Sequence, residues 1–279
     1  ISNSGAALNS LTNTHRTNIT YYTAAGLKDG LMYSYQETTV QNGITTGTTR
    51  TAMDYNPLGQ LIKYKDVITS DATPDLKTTV WFGHDGTSGG WIGAVSYDIR
   101  GRLSNYKEYK EEKDISTSGA GLSVVTKTHR YGTPVNDLKI TYDEQTGQML
   151  KYKEDVDKQG QTATSTIRVI GKGIQSINGY NSLGQLVSYT DRINNTEGAT
   201  DLFTIVKFGY DGTTWVDPIY NTKGQLKEYY ENKNERDISN SGAVLNSLTN
   251  THRSNIRYYT TPGLKDGLMY SYQETTVQN

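Results

Sequence analysis

The first 42 residues of this chain occur twice. ISNSGAALNSLTNTHRTNITYYTAAGLKDGLMYSYQETTVQN runs from Ile1 to Asn42 and returns from Ile238 to Asn279, an offset of 237, with 37 of the 42 positions identical. The five differences are Ala7/Val244, Thr17/Ser254, Thr20/Arg257, Ala24/Thr261 and Ala25/Pro262. Self-similarity of this kind marks stacked supersecondary units, each unable to bury its apolar face alone. The duplication predicts one complete long repeat plus the start of the next, and a tandem array as the parent protein. An opening without Met or a signal peptide reads as a piece of something longer.

Two finer periods lie inside the long one. ISTSGAGLSVVTKTHR, from Ile115, echoes the stretch from Ile1 to Arg16, and YNPLGQLIKYKDVITSDATPDLKTTVWFGHDGT pairs with YNSLGQLVSYTDRINNTEGATDLFTIVKFGYDGT. The smallest period is a phrase led by Tyr55 (YNPLGQLIKY), Tyr97 (YDIRGRLSNY), Tyr142 (YDEQTGQMLKY), Tyr180 (YNSLGQLVSY) and Tyr220 (YNTKGQLKEY), with diverged versions near Tyr21 and Tyr258. Six units of about 40 residues fill the 237. The chain reads as a single repeat domain over 1–279, with units at roughly 1–42, 43–75, 76–114, 115–160, 161–200, 201–237 and 238–279.

Each phrase carries turn chemistry. Asn56 or Asp98 supplies the first turn position, and Gly59, Gly101, Gly147, Gly184 and Gly224 tolerate the positive φ that closes a hairpin. The flanking strands should pair antiparallel, and a third strand recurs upstream (KTTVWFG, TKTHRYG, TSTIRVIG, TIVKFG), giving about three strands per unit. By parity Leu61 and Lys63 share one face while Ile62, Tyr64 and Asp66 share the other. The step from Leu61 to Tyr64 therefore crosses the sheet, which requires two partly covered faces or a bulge. The structural repeat residues are Tyr55, Gly59, Leu61 and Tyr64; Tyr97, Gly101, Leu103 and Tyr106; Tyr142, Gly147, Met149 and Tyr152; Tyr180, Gly184, Leu186 and Tyr189; and Tyr220, Gly224, Leu226 and Tyr229. Stacking the units brings the second tyrosines, with Tyr35 and Tyr272, into corresponding places along a ladder.

Composition agrees. Hydrophobic residues are 34%, Gly numbers 28, and 22 Tyr stand against 3 Phe, so the core is thin and many rings sit at wet boundaries. The expected fold is all-β, an elongated repeat of antiparallel β-hairpins in a β-solenoid-like or spiralling sheet. A β-propeller, with blades of similar length, is the alternative.

YDIRGRL, from Tyr97 to Leu103, resembles the tyrosine–aspartate (YD) repeat of the rearrangement-hotspot (Rhs) and teneurin families, roughly Tyr-Asp-x-x-Gly-Arg-Leu. YNPLGQL, YNSLGQL and YNTKGQL keep Tyr, Gly and Leu but exchange Asp for Asn and Arg for Gln, and YDEQTGQM has one extra residue. The resemblance covers one short hairpin per unit. It implies hairpins strung along a spiralling sheet in large bacterial surface or secreted proteins, where such repeats form shells or stalks without catalysis.

Sites for chemistry are sparse. His15, His129 and His252 share a Thr-His-Arg context that recurs with the repeat, and His84 in GHDGT is replaced by Tyr210 in the sister segment GYDGT. Structural roles are expected for all four. DVDKQG places Asp155, Asp157 and Gln159 at alternate positions, as in an oxygen-ligand calcium loop, but Thr166 stands where the helical version needs Glu, so an ordinary polar turn is favoured and no metal site is assigned. A carboxylate follows the second Tyr by two residues in every unit: Glu37, Asp66, Glu108, Glu154, Asp191, Glu231 and Glu274. Stacked in a column these would repel, which calls for cross-strand cationic partners or, alternatively, a bound cation.

No Gly-rich phosphate loop and no nucleophile–base set can be assembled, so neither catalysis nor a cofactor is expected. A net charge of −1 argues against nucleic acid, and no apolar run reaches the 18 residues that suggest a membrane span. The absence of Cys removes disulfides and thiolate sites. The leading expectation is a non-catalytic spacer, stalk or scaffold in an extracellular or cell-surface protein, whose partners are neighbouring repeats of the same chain. The second is an adhesion module binding glycans or another ligand through Trp81, Trp91, Trp215 and exposed tyrosines.

Overall fold

The computed structural model describes residues 12–41, 43–86, 95–116, 121–132, 140–172, 179–195, 202–237, 246–259 and 269–278. All regular structure among them is β. The strands are β1 (Thr12–Tyr21), β2 (Met32–Gln41), β3 (Ile44–Tyr55), β4 (Leu61–Ser70), β5 (Thr73–Phe82), β6 (Ser96–Tyr97), β7 (Leu103–Asp114), β8 (Ser123–Tyr131) and β9 (Thr141–Tyr142). They continue as β10 (Met149–Lys158), β11 (Thr164–Ile170), β12 (Tyr189–Asn195), β13 (Leu202–Phe208), β14 (Ile219–Tyr220), β15 (Leu226–Asp237), β16 (Asn246–Tyr258) and β17 (Met269–Gln278).

Fourteen of these are long, and each pairs antiparallel with the next long strand from β1 through to β17. The result is one open meander. A propeller would divide the chain into separate four-stranded blades, so that alternative is excluded. The three-strand reading of a unit is refined as well: each unit contributes two long strands, and β6, β9 and β14 are two-residue strands that fold onto β7, β10 and β15 beside the turn. In the unit led by Tyr180 the short strand shrinks to a single bridge between Tyr180 and Leu186.

The five phrases make one turn. In four of them the Asn or Asp side chain (Asn56, Asp98, Asn181, Asn221) accepts the backbone N–H groups two and four residues on, at 2.9–3.0 Å. The Asp-to-Asn and Arg-to-Gln exchanges are coupled by donor and acceptor chemistry. Arg102 Nε donates to Asp98 Oδ2 at 2.6 Å, whereas Asn56, Asn181 and Asn221 donate through Nδ2 to Gln60, Gln185 and Gln225 at 2.6–2.8 Å. The extra residue after Tyr142 changes this: Thr146 donates its N–H and its hydroxyl to Asp143 Oδ1 at 2.6 and 2.8 Å.

Crossing from Leu61 to Tyr64 is achieved by irregular register. Pairing of β3 with β4 shifts on both sides of Asp54, with Ala52 at φ +54°. Asn18 of β1 and Asn255 of β16 take the same left-handed conformation at the same place. Four other units leave the main sheet here and return as the short strand or bridge. At Gly83 and Gly209, two of these departures, an added Cβ would lie 2.3 Å from the Ile62 carbonyl oxygen and 2.4 Å from that of Val187.

Among the described residues, substantial contacts run only between hydrogen-bonded neighbours, and the long strands form one continuous sheet. Burial is supplied sideways. Tyr35, with strands on both sides, is 6% exposed, while Tyr272, its copy on the sheet edge, is 44% exposed. Ile256 and its edge copy Ile19 differ in the same way, 6% against 39%.

The leading tyrosines join successive units. Tyr55 donates its hydroxyl to the Met32 carbonyl, Tyr97 to Leu61, Tyr142 to Leu103, Tyr180 to Met149, Tyr220 to Leu186 and Tyr258 to Leu226. Each acceptor is the Leu or Met of the preceding unit's phrase, and this bond is what Phe could not make.

Tyr142→Phe or Tyr180→Phe should cost about 0.5–1.5 kcal/mol in urea unfolding while the β-type circular dichroism persists. Ala52→Gly should act oppositely, raising stability by up to about 1 kcal/mol, because it relieves the left-handed backbone of a residue with a Cβ.

Candidate functional site

The most ordered chemistry lies on the face that carries Tyr64. Each long strand places one side chain in a single row across the sheet: Arg16, Tyr35, Arg50, Tyr64, Phe82, Tyr106, Arg130, Tyr152, Arg168, Tyr189, Phe208, Tyr229, Arg253 and Tyr272. Arg50 lies 5.6 Å from the ring centre of Tyr35 and 3.8 Å from that of Tyr64. Arg130 spans Tyr106 and Tyr152, Arg168 spans Tyr152 and Tyr189, and Arg253 spans Tyr229 and Tyr272. Phe82 stacks on Tyr64 at 5.0 Å and meets Tyr106 at 5.6 Å, and Phe208 repeats this between Tyr189 and Tyr229. A guanidinium between two ring faces gains cation–π attraction on both sides. Burial pushes the hydroxyls of Tyr64 and Tyr189 up to about 12.

The expected tyrosine ladder is thus a mixed stack. Its missing members leave a signal in the sequence. Arginine precedes the leading tyrosine by five residues at Arg16, Arg50 and Arg253, and by twelve at Arg130 and Arg168, where the chain makes its departure from the main sheet. In the Thr-His-Arg context, the arginine joins this stack.

The carboxylates form the adjoining row. Arg50 grips Asp66 with two bonds of 2.7 and 2.6 Å, and Arg168 grips Asp191 with the same pair of distances. Arg16 meets Glu37 at 2.5 Å, Arg130 meets Glu154 at 2.7 Å and Arg253 meets Glu274 at 3.0 Å. Five of the seven therefore have the cross-strand cationic partner that a column of charges requires.

Glu108 and Glu231 are different. Opposite them stand Phe82 and Phe208 instead of arginine. Burial raises both carboxyls above their ordinary value. Like charge from Asp66 and Glu154 adds to this at Glu108, and from Asp191 and Glu274 at Glu231, against Lys110 and Arg130 or Arg253 and Lys233. Lys110 and Lys233 are meanwhile paired with Glu112 and Glu235 at 3.0 and 2.7 Å.

The opposite face carries a groove of about 420 Å³ lined by charged and polar side chains, among them His84, Lys107, Lys127, His129, Lys153 and Asp155. His129 stacks on Tyr131 at 4.2 Å and contacts Asn105 at 3.0 Å; its copy His252 stacks on Tyr230 at 4.1 Å and contacts Glu228 at 2.9 Å. Asp155 accepts the Tyr131 hydroxyl at 2.7 Å and lies 3.4 Å from Lys153, while Asp157 lies 3.8 Å from Lys127. Asp155 and Asp157 stand on β10 and Gln159 on the turn after it. Among the described residues no group of three or more His, Asp or Glu is placed to hold a metal ion. Trp81 packs edge-on against Tyr109 and Trp215 against Tyr210, both at 5.2 Å, and Trp91 lies outside the described residues.

Comparison of the chain with protein-family models and with curated proteins finds no match.

Because their folded-state pKa values are raised, Glu108 and Glu231 bind more protons in the folded than in the unfolded chain just above the ordinary value of 4.5, so stability falls as pH rises through that window. Glu108→Gln with Glu231→Gln should therefore stabilise the protein at neutral pH by about 0.2–1 kcal/mol per site. The gain should shrink as the pH falls to the ordinary carboxylate range, which urea titrations at the two pH values would measure.

Proposed function

We propose that this chain is a non-catalytic structural segment, a spacer, stalk or scaffold, within a large secreted or surface protein of bacterial type built from tyrosine–aspartate-like hairpin repeats. One observation carries the reading. The side chains with the most defined geometry, the tyrosine latch and the arginine–tyrosine–carboxylate stack, recur at junction after junction and serve to join one unit to the next. Catalysis calls for a constellation found once. A repeated junction instead provides length, because each unit touches only its neighbours and units can be added without altering those already present.

Among the described residues no helix is long and apolar enough to cross a membrane. A glycan- or ligand-binding adhesion module is the second reading, and the mixed-charge groove beside His129, with Trp81 nearby, is the observation in its favour. A glycan array probed with the whole chain tests it, and absence of signal above background removes it.

Each added 237-residue repeat contributes twelve long strands, or about 55–60 Å measured across the strands at ~4.8 Å each. Chains carrying one, two and three additional repeats should lengthen in regular steps in electron micrographs and solution scattering. A particle of constant diameter would overturn the spacer reading.

A further inference from the structure

The two halves of the long repeat keep one face of the sheet and change the other. On the stack face Tyr64, Phe82, Glu108 and Arg130 recur as Tyr189, Phe208, Glu231 and Arg253. On the opposite face the histidine recurs, as His129 and His252, but its neighbours on β7, β8 and β10 all differ from their counterparts. We propose that the groove beside His129 binds an acidic saccharide, with Lys107 and Lys127 taking its carboxylate and Asp157 its hydroxyl groups.

In the second half the corresponding place is closed by its own side chains. Asn232 donates to Asn250 at 2.6 Å and is 4% exposed. Tyr230 lies parallel to the His252 ring at 4.1 Å, and Glu228 meets its Nε2 at 2.9 Å. The first half exchanges each of these. Tyr109 and Lys127 stand where the second half has the two asparagines, Lys107 where it has Tyr230, and the neutral Asn105 where it has Glu228. The exchanges act together, since each removes a partner of the histidine or opens the surface beside it. The result is the groove of about 420 Å³, which continues past Lys127 and Asp157 into a second hollow of about 400 Å³ lined by Tyr109, Val125 and Gln159.

The lysines are placed for an anion. Lys107 stands directly opposite His129, and Lys127 opposite Tyr109, so the two cations are diagonal neighbours on one face. Among the described residues Lys107 has no carboxylate partner, and Lys127 meets Asp157 only at 3.8 Å. Burial, together with Lys107 and Lys153 and against Asp155, lowers the proton affinity of His129, as a positive local field would. Lysines alone would suit any polyanion. Here they alternate with carboxylates: Asp157 is 58% exposed, and with Thr164 and Ser165 it lines the same groove. A carboxylate repels a phosphate chain but accepts hydrogen bonds from hydroxyl groups, while the threonine and serine hydroxyls both donate and accept. One anionic group on a polyhydroxylated ring satisfies both sets. Tyr109, packed edge-on against Trp81, adds an aromatic surface beside the second hollow, where a further sugar ring can lie. The site leaves the spacer reading intact; it rests on the adhesion reading and names its ligand class.

Isothermal titration of the whole 279-residue chain, with sugars up to millimolar concentration, tests the site. The probes are two acids, oligogalacturonate and sialyllactose, and their neutral counterparts, the galacturonate methyl ester and lactose. At least one acid should bind, about tenfold or more tightly than its neutral counterpart. Each groove residue can be exchanged for its counterpart in the second half, a residue the same sheet already carries at that position. Lys107→Tyr and Lys127→Asn should each weaken binding of the acid about tenfold while the β-type circular dichroism is unchanged. Lys233→Gln, on the stack face, should leave the affinity as it is. Acid binding that survives both lysine exchanges would overturn the proposal. So would equal affinity for acid and neutral sugar, which leaves the adhesion reading standing. Binding of none of the four sugars would overturn the proposal as well, and a blank glycan array beside it removes the adhesion reading too.

Discussion

Every long strand in this protein is held in register by a side chain that needs a neighbour on each side. An arginine such as Arg168 lies between the rings of Tyr152 and Tyr189 while its guanidinium binds Asp191. Shifting either neighbour by one residue would turn its ring to the other face and leave a charge uncompensated. In a two-layer protein, register is enforced by packing against a second sheet or a helix. Here the long strands form one continuous sheet, and the row of rings and guanidinium groups does that work within it. The contrast between Tyr35 and Tyr272, identical in local sequence and opposite in exposure, measures how much of the burial comes from the strand alongside.

A second set of bonds, at the turn end, ties unit to unit. The tyrosine hydroxyl reaches back to a carbonyl in the preceding phrase, and the turn after it is closed by an Asn or Asp side chain together with a glycine at positive φ. These two devices explain the composition. Six tyrosines use the hydroxyl for the joint, which phenylalanine could not make, while the stack uses rings, those of Phe82 and Phe208 among the tyrosines. Stability in such an arrangement is a sum over neighbouring units, which suits a protein whose proposed role is extension.

The stack is interrupted at Phe82 and Phe208, once in each half of the long repeat. There the carboxylate persists without its arginine, and the cost appears as the raised proton affinity of Glu108 and Glu231. The half-repeat seen in the sequence thus corresponds to six long strands bearing Arg, Tyr, Arg, Tyr, Phe and Tyr in order.

Much of the fold was legible in the residues because it is local. The Asn/Asp-x-x-Gly turn, the alternation after it and the recurrence of both define where strands begin and which side chains share a face, and a duplicated sequence must duplicate its structure. Local reasoning could also pose the three-residue step from Leu61 to Tyr64, but not choose between a bulge and two covered faces. The structure shows register shifts around Asp54 together with half-buried residues on both faces. What tertiary structure decided is the identity of each residue's neighbour. Arg50 stands between Tyr35 of β2 and Tyr64 of β4, and Tyr142 meets Leu103 of the preceding unit across 39 positions of chain; these partners are brought together by the pairing of successive strands, which no single hairpin contains. The sequence on its own determined the cassette; only the pairing of cassettes decided that arginine would stand between the tyrosines, because a guanidinium is stabilised there by two rings and a carboxylate contributed by different strands.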